Sequence, residues 1–329
     1  MLYDNHGRPL NYLRLAVTDR CNLRCFYCMP AEGLPWHGKD QILSYEEMLR
    51  LVSILADLGI SKVRITGGEP FVRKDLIPFM NELSQIQGIK KVNITTNGTA
   101  PLTQVAALKA MGINAVNLSL DSLDPQRFKA ITRRDDFDKV WAFYQELLNQ
   151  GITTKINAVV MEEHNLEDIL SMSALTLTDP VSIRFIEEMP FNGGSKGYVP
   201  ITWNYQKIIA HIKGQYPELE RLNDEKSSTS YNYQVPGAKG TIGVIPAYTR
   251  TICGSCDRIR LTPKGDLKTC LYQKGGFSFR DFMRQGATDD DIRSKFLQLF
   301  QKRAKDGFEA EKEGSPTDGS LQSMATIGG

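Results

Sequence analysis

The 329-residue sequence predicts an α/β chain in which six consecutive βα units build a curved parallel sheet, followed by a smaller C-terminal α+β unit. Three observations carry that prediction. Apolar strand-like runs alternate with capped helical patterns, each run keeps one polar face at period two, and the alternation stops near residue 215. Parallel neighbours need a crossover connection, and an intervening helix supplies it.

The strand runs fall at residues 13–18, 62–66, 92–95, 115–120, 155–160 and 181–186. Between them lie helices with legible ends: Ser44 and Glu47 make a capping box for a helix that Gly59 closes, and Thr103 and Gly112 bracket a shorter one. Past residue 215 come two short β-like runs at 231–235 and 241–245, then helices at 279–285 and 289–305. From Glu311 the chain is rich in Gly, Ser, Pro and charge and is expected to be flexible. The expected division is therefore 1–215, 216–310 and a tail at 311–329.

Composition narrows the function classes. With 40 basic against 38 acidic residues the formal charge is +2, which argues against a general nucleic-acid or membrane-surface binder and leaves positive charge for local use. No apolar run reaches transmembrane length, residues 1–9 are polar with no signal-peptide core, and a cytoplasmic location is expected. In a reducing compartment, six cysteines are expected to be metal ligands or redox groups rather than disulfides.

The polar strand faces depart from what parallel strands normally show, because a strand covered on both sides reads as a nearly continuous apolar run. Here Arg14 and Thr18 share a face, as do Lys62, Arg64 and Thr66; Asn93, Thr95 and Asn97; Asn117, Ser119 and Asp121; Lys155 and Asn157; and Ser182 and Arg184. One or two such strands would be solvent-facing edges. Six of them fit a curved sheet with a polar cavity on its concave side, and the Arg and Lys residues there suit a polyphosphate.

The six cysteines form two triplets: Cys21, Cys25 and Cys28 after the first strand, and Cys253, Cys256 and Cys270 near the other end. For the first triplet, a zinc knot completed by His37 remains open on spacing alone. A thioredoxin-type pair at Cys25 and Cys28 lacks the preceding strand-to-helix context and leaves Cys21 unexplained. An iron–sulfur cluster on three thiolates accounts for all three and leaves one iron position for another ligand.

The spacing Cys-x3-Cys-x2-Cys, with Tyr27 before the last cysteine, resembles the signature of radical S-adenosylmethionine (SAM) enzymes, and Gly67-Gly68-Glu69-Pro70 resembles their SAM-binding glycine motif. The segment Leu15 to Pro30, the run Cys253 to Thr262 with Cys270-Leu271, and the terminal Gly328-Gly329 together resemble the GTP 3′,8-cyclase (MoaA) family of molybdenum cofactor biosynthesis. The similarity runs from about residue 4 to the end of the chain.

That resemblance implies an incomplete (βα)6 TIM-type radical SAM barrel whose C-terminal α+β unit carries a second cluster. Cys21, Cys25 and Cys28 would hold a [4Fe–4S] cluster that cleaves SAM, with Tyr27, Gly68, Ser119 and Met189 contacting SAM. Cys253, Cys256 and Cys270 would hold a second [4Fe–4S] cluster facing guanine, with Arg14, Arg64, Thr95, Lys155, Arg258 and Arg260 binding GTP. It also implies a flavodoxin- or ferredoxin-like electron donor, a downstream cyclic pyranopterin monophosphate synthase and a homodimer, and it raises, beside the usual reading of a terminal glycine pair as a flexible end, the alternative that Gly328-Gly329 threads into the active site. The implied reaction removes hydrogen from C3′ of the ribose and joins C3′ to C8 of guanine. The chain departs from the family pattern at Glu162-Glu-His-Asn165 and at Glu188. Two other readings stand beside it: a radical SAM enzyme acting on a peptide, and a zinc-binding scaffold.

Overall fold

A computed structural model describes residues 2–189, 201–313 and 323–328. In chain order its main elements are β1 (Tyr12–Ala16), α1 (Tyr45–Leu58), β2 (Lys62–Thr66), α2 (Leu76–Ser84), β3 (Lys91–Thr96), α3 (Thr103–Ala110) and β4 (Ala115–Ser119). There follow α4 (Pro125–Thr132), α5 (Phe137–Asn149), β5 (Thr154–Val160), α6 (Asp168–Thr178), β6 (Val181–Glu187) and α7 (Tyr205–Gln215). The C-terminal part holds β7 (Tyr231–Gln234), β8 (Thr241–Ile245), β9 (Arg258–Leu261), β10 (Asp266–Lys268), α8 (Phe279–Arg284), α9 (Asp289–Phe300), α10 (Gly307–Lys312) and α11 (Met324–Ile327).

The six expected βα units are present, with boundaries moved by one or two residues at most strands. The capping box forms as expected: Glu47 N–H donates to Ser44 Oγ at 3.1 Å, and Ser44 N–H donates to Glu47 Oε2 at 2.8 Å. α3 is different. Leu102 stands at its N-cap with no side-chain bond, and Thr103 is already inside the helix.

The chain divides into two compact units. The first contains residues 1–22, 34–94 and 253–329; the second contains 23–33 and 95–252. In the first unit β9, β1, β2 and β3 run parallel in that order, with β10 antiparallel on the outer side of β9. In the second unit β4, β5, β6 and β8 run parallel in order, with β7 antiparallel on β8. These two units divide the chain by strand pairing, with residues 216–252 in one and 253–329 in the other. β7 and β8 extend one sheet and β9 and β10 the other, so β1 and β6 are not left as bare edges.

Each unit buries its own core. Leu13 and Leu15 of β1 and Val63 and Ile65 of β2 alternate with the polar face and are buried, as are Leu51, Val52 and Leu55 of α1. In the second unit Val116 and Leu118 of β4 and Ile156 and Ala158 of β5 do the same, with Phe128, Phe143 and Tyr144 from α4 and α5. The apolar half of each strand makes the core; the polar half is left to line a site.

The tail also differs from expectation. α9 stops at Phe300 rather than continuing to residue 305, α10 spans Gly307–Lys312, and α11 buries Ala325 and Ile327. Of the expected tail, residues 311 and 312 end α10 and residues 324–327 form α11. Residues 314–322 and 329 lie outside the described residues. Among the described residues no helix is long and apolar enough to cross a membrane.

Candidate functional site

In the first unit, strand register lines up Lys268, Arg260, Arg14, Arg64 and Asn93 across β10, β9, β1, β2 and β3. Paired residues share a face, and neighbouring strands are about 4.8 Å apart, so four cations stand side by side. One step back along the strands lies the row Arg258, Tyr12 and Lys62. Lys62 Nζ sits 4.4 Å from the Tyr12 ring centroid, and the Arg258 guanidinium sits 5.5 Å from it.

This charge is poorly neutralised. Asp257 pairs with Arg258 at 3.5 Å, but among the described residues no ion pair reaches Arg14, Arg64 or Arg260. Burial pushes the Arg14 guanidinium well below its ordinary value, and Arg260, Arg64 and Arg258 push it further while Tyr12 opposes them. Arginine does not deprotonate in proteins, so the shift measures an unmet demand for negative charge. Tyr12 reports the same field. Burial alone would raise its phenol, yet Arg64 and Arg14, with an Arg64 Nε–H bond of 2.5 Å to the hydroxyl, bring it down to about 8. Burial also lowers Arg260 to about 10 and Lys268 to about 8.

The second cysteine triplet lies in the same unit. Cys253 and Cys256 share a tight turn, with Cys256 N–H donating to Cys253 O at 3.2 Å, and Cys270 follows β10 closely. Each of Cys253 and Cys270 feels the charge of Cys256, so the three thiols form one set. Burial pushes the Cys253 and Cys270 thiols up. Burial pushes Cys256 up as well, but Arg303 and Arg258 outweigh it and hold that thiol below its ordinary value.

Gly328 lies over the next row of this face. A Cβ there would come within 2.8 Å of Thr66 Oγ1 and 2.9 Å of Ala16 Cβ, at a φ of +82° that favours glycine. Its carbonyl accepts a hydrogen bond from Arg260 Nη1. The other half of the terminal pair, Gly329, lies outside the described residues.

The first triplet is divided between the units: Cys21 belongs to the first, Cys25 and Cys28 to the second. Cys21 follows Thr18–Arg20, whose backbone packs directly on Gly67 and Gly68. Gly68 N–H donates to Thr18 O and Glu69 N–H to Arg20 O, both at 2.8 Å, and a Cβ on Gly68 would meet Arg20 O at 2.2 Å. The Gly-Gly pair is thus a close approach that holds the loop entering the cysteines. In the second unit Cys28 N–H donates to Cys25 O at 2.9 Å, closing a turn. Tyr27 points its hydroxyl to Asp121 Oδ2 at 2.8 Å, and Val159 N–H donates to Asp121 Oδ1 at 2.9 Å. Burial raises Asp121 to about 6, although both hydrogen bonds favour its ionised form.

The polar face of the second unit also lies in register. Asn117, Lys155, Ser182 and Thr241 form one row; Ser119, Asn157, Arg184 and Gly243 form the next. Met189 lies just past the end of β6. Several buried atoms on these faces have no hydrogen-bond partner among the described residues: Arg14 Nε, Thr66 Oγ1 and Asn93 Nδ2 in the first unit, and Thr95 Oγ1, Asn117 Oδ1 and Asn157 Oδ1 in the second. Buried polar atoms are normally satisfied, so such orphans on the predicted polar face have bonding capacity left for a ligand or ordered water. Thr18 and Asn97, expected on that face, instead cap turns beyond the strand ends, accepting from the backbone N–H groups of Arg20 and Thr99.

Comparison with known proteins agrees with this geometry. Residues 15–175 match the Radical SAM superfamily and residues 181–308 match Molybdenum Cofactor Synthesis C. The GTP 3′,8-cyclase of Peptoclostridium acidaminophilum is 39% identical over 310 residues, covering 93% of this chain and 93% of that protein. This chain belongs to the GTP 3′,8-cyclase family. The mitochondrial GTP 3′,8-cyclase of Arabidopsis thaliana is 37% identical, over 89% of this chain and 75% of that one. Molybdenum cofactor biosynthesis protein 1 of Bos taurus is 39% identical over 88% of this chain; the chain spans 46% of that relative's length. Among solved structures, Streptococcus suis SuiB bound to S-adenosylmethionine aligns over 87% of this chain and 68% of its own, with a TM-score of 0.62 at 15% identity. That likeness shows a shared fold, the α/β fold of radical SAM enzymes. Within each unit of this chain the sheet is open rather than closed, as an incomplete barrel requires.

Membership in the radical SAM superfamily implies a [4Fe–4S] cluster and SAM. The donor chemistry fits: a cubane takes one thiolate per iron, and Cys21, Cys25 and Cys28 offer three thiols within one motif. Sequence reasoning missed Asp4, Arg8, Lys268 and Arg303, which surround the second triplet. Only Lys268 left a trace, at period two from Cys270 before it.

Proposed function

We propose that the chain catalyses SAM-dependent radical cyclisation of GTP to (8S)-3′,8-cyclo-7,8-dihydroguanosine 5′-triphosphate, the first step of molybdenum cofactor biosynthesis. The observation that carries this reading is the row Arg260, Arg14 and Arg64 beside three thiols: buried positive charge that no ion pair among the described residues reaches calls for a polyanion. A peptide offers such charge only where acidic side chains cluster, and without the density of a triphosphate. The names of the relatives point the same way.

In this reading residues 1–215 supply the SAM half and residues 216–310 the second-cluster half. Cys21, Cys25 and Cys28 would hold the [4Fe–4S] cluster, which with SAM supplies one-electron reductive cleavage and a hydrogen-abstracting carbon radical. Cys253, Cys256 and Cys270 would hold a second [4Fe–4S] cluster with a position open to guanine. Arg14, Arg64, Arg258 and Arg260, with Thr95 and Lys155, would bind GTP, the guanidinium forks gripping phosphate oxygens. Tyr27, Gly68, Ser119 and Met189 would contact SAM; Tyr27 and Gly68 also brace the loop that bears the cysteines. The reaction needs C3′ of the ribose held against the hydrogen acceptor and C8 held against C3′, so the cation row fixes one end of GTP and the second triplet the other. Gly328, seated on Arg260, Ala16 and Thr66, would close this face against water. The chemistry calls for a flavodoxin- or ferredoxin-like donor and a synthase that consumes the cyclised nucleotide; the family resemblance adds a second copy of the chain, and the composition a cytoplasmic setting.

Anaerobic incubation with a reductant, SAM and GTP deuterated at C3′ tests the proposal. The expected outcome is 5′-deoxyadenosine that forms only with GTP and carries the deuterium. Label-free 5′-deoxyadenosine, or formation indifferent to GTP, would exclude the reaction.

A further inference from the structure

Arg303 is fully engaged beside the second cysteine set. It is 3% exposed, and all five of its N–H groups are used. Nε–H donates to Thr269 O at 2.9 Å, beside Cys270. Nη1 donates to Asp4 Oδ2 at 3.1 Å and to Cys256 O at 2.8 Å. Nη2 donates to Arg258 O at 2.8 Å and to the Cys256 sulfur itself at 3.3 Å. No step of the proposed reaction uses Arg303, and neither sequence patterning nor motif spacing singles it out.

The surroundings make its charge effective. Asp4 is buried and bridges two guanidiniums, since Arg8 Nε–H also donates to Asp4 Oδ2, at 2.7 Å. Arg8 in turn donates to Cys253 O at 3.2 Å and to Ala304 O at 2.8 Å. One carboxylate, Asp4, serves both guanidiniums, and around Cys256 the charges of Arg303 and Arg258 outweigh that of Asp257. In the first set Asp121 meets Tyr27, and the Arg133 guanidinium donates to Arg24 O and Met29 O.

We propose that Arg303 is a positioning residue that sets the reduction potential of the second cluster, through its N–H bond to the Cys256 sulfur and its buried charge. A donor aimed at a ligating sulfur stabilises the electron-rich reduced state, and so does a nearby cation shielded from water. Asp4 locks the guanidinium in the one orientation in which Nη2 meets the sulfur while Nε spans to the Cys270 side. The two clusters are thereby poised differently by the protein alone, the second raised relative to what three thiolates would give it. This inference rests on the second-cluster reading above.

The test is an anaerobic redox titration of the intact protein followed by electron paramagnetic resonance, with iron counted in each sample. Cys256→Ala is expected to halve the iron; unchanged iron would remove the second cluster and this proposal with it. Given two clusters, Arg303→Gln is expected to shift the second midpoint to more negative potential and leave the first in place. Arg303→Lys keeps the charge but loses the fork, and its midpoint should fall between the two. If Arg303→Gln does not retain the cluster, the lysine variant decides: a midpoint displaced below wild type supports the assignment, whereas one equal to wild type overturns it. Equal displacement of both clusters also overturns it, because that would be a general structural effect.

Discussion

The two cysteine sets are built by opposite strategies. Cys21, Cys25 and Cys28 sit in one contiguous loop, braced by backbone contacts to Gly68 and Glu69, by backbone bonds from Arg24 and Phe26 to Thr132 and Ile131, by Arg133 on the Arg24 and Met29 carbonyls, and by Tyr27 on Asp121. Cys253 and Cys256 are separated in sequence from Cys270, and the set is supported by Asp4, Arg8 and Arg303 from both ends of the chain. Their ligand faces differ in the same way. The second set adjoins a row of cations, while the second unit presents mainly amides and hydroxyls around a buried carboxylic acid. A short local motif can hold a site that binds a small zwitterion. Binding a polyanion takes concentrated charge, and concentrated buried charge needs a framework.

The largest expected effect breaks that framework. Asp4→Ala leaves the Arg8 and Arg303 guanidiniums buried together and should cost about 3–5 kcal/mol in urea unfolding, with iron lost from the second set only. Equal iron loss from both sets would erase the contrast. Arg260→Ala comes next. Removing one fork from the row should raise KM for GTP by about 30-fold or more while SAM binding, measured by calorimetry, stays unchanged.

Tyr27→Phe sharpens the other side. It removes the donor to Asp121 without removing the ring, and about 1.5–3 kcal/mol of support for the first loop should go with it. Weaker SAM binding with normal GTP binding is the expected reading in equilibrium titrations. The smallest effect is a pH dependence. Because the folded Tyr12 phenol is depressed to about 8 from 10, its contribution to stability is fully present above about pH 10 and is lost as pH falls through 8. Thermal unfolding of the ligand-free protein should therefore gain stability between pH 8 and 10, by at most about 1.4 kcal/mol per pH unit from this group. Tyr12→Phe should flatten that slope. Tyrosinate absorbance with a midpoint near 8 should vanish in the same variant.

Much of the site was legible because its signals are local. The period-two faces placed Arg14, Arg64, Thr95 and Asn117 together, and orphaned buried atoms occur on those same residues or their row neighbours. Cysteine spacing separated the two triplets. What stayed hidden depends on long-range pairing. Nothing near Arg303 in sequence points to Cys256, because α9 must end at Phe300 for the following residues to turn inward. Likewise β8 and β9 look like parts of one appendage until register shows β8 beside β6 and β9 beside β1. Gly67-Gly68 was read as a ligand-binding motif, and its close packing on Thr18–Arg20 could not be foreseen from composition.

The central claim is that the two triplets serve different ligands. It is tested most directly by iron counting and equilibrium binding on Cys25→Ala and Cys256→Ala side by side. Each variant should retain about four of about eight irons; Cys25→Ala should lose SAM binding and keep GTP, and Cys256→Ala should lose GTP binding and keep SAM. Loss of both ligands in either variant, or iron unchanged by Cys256→Ala, would contradict the account.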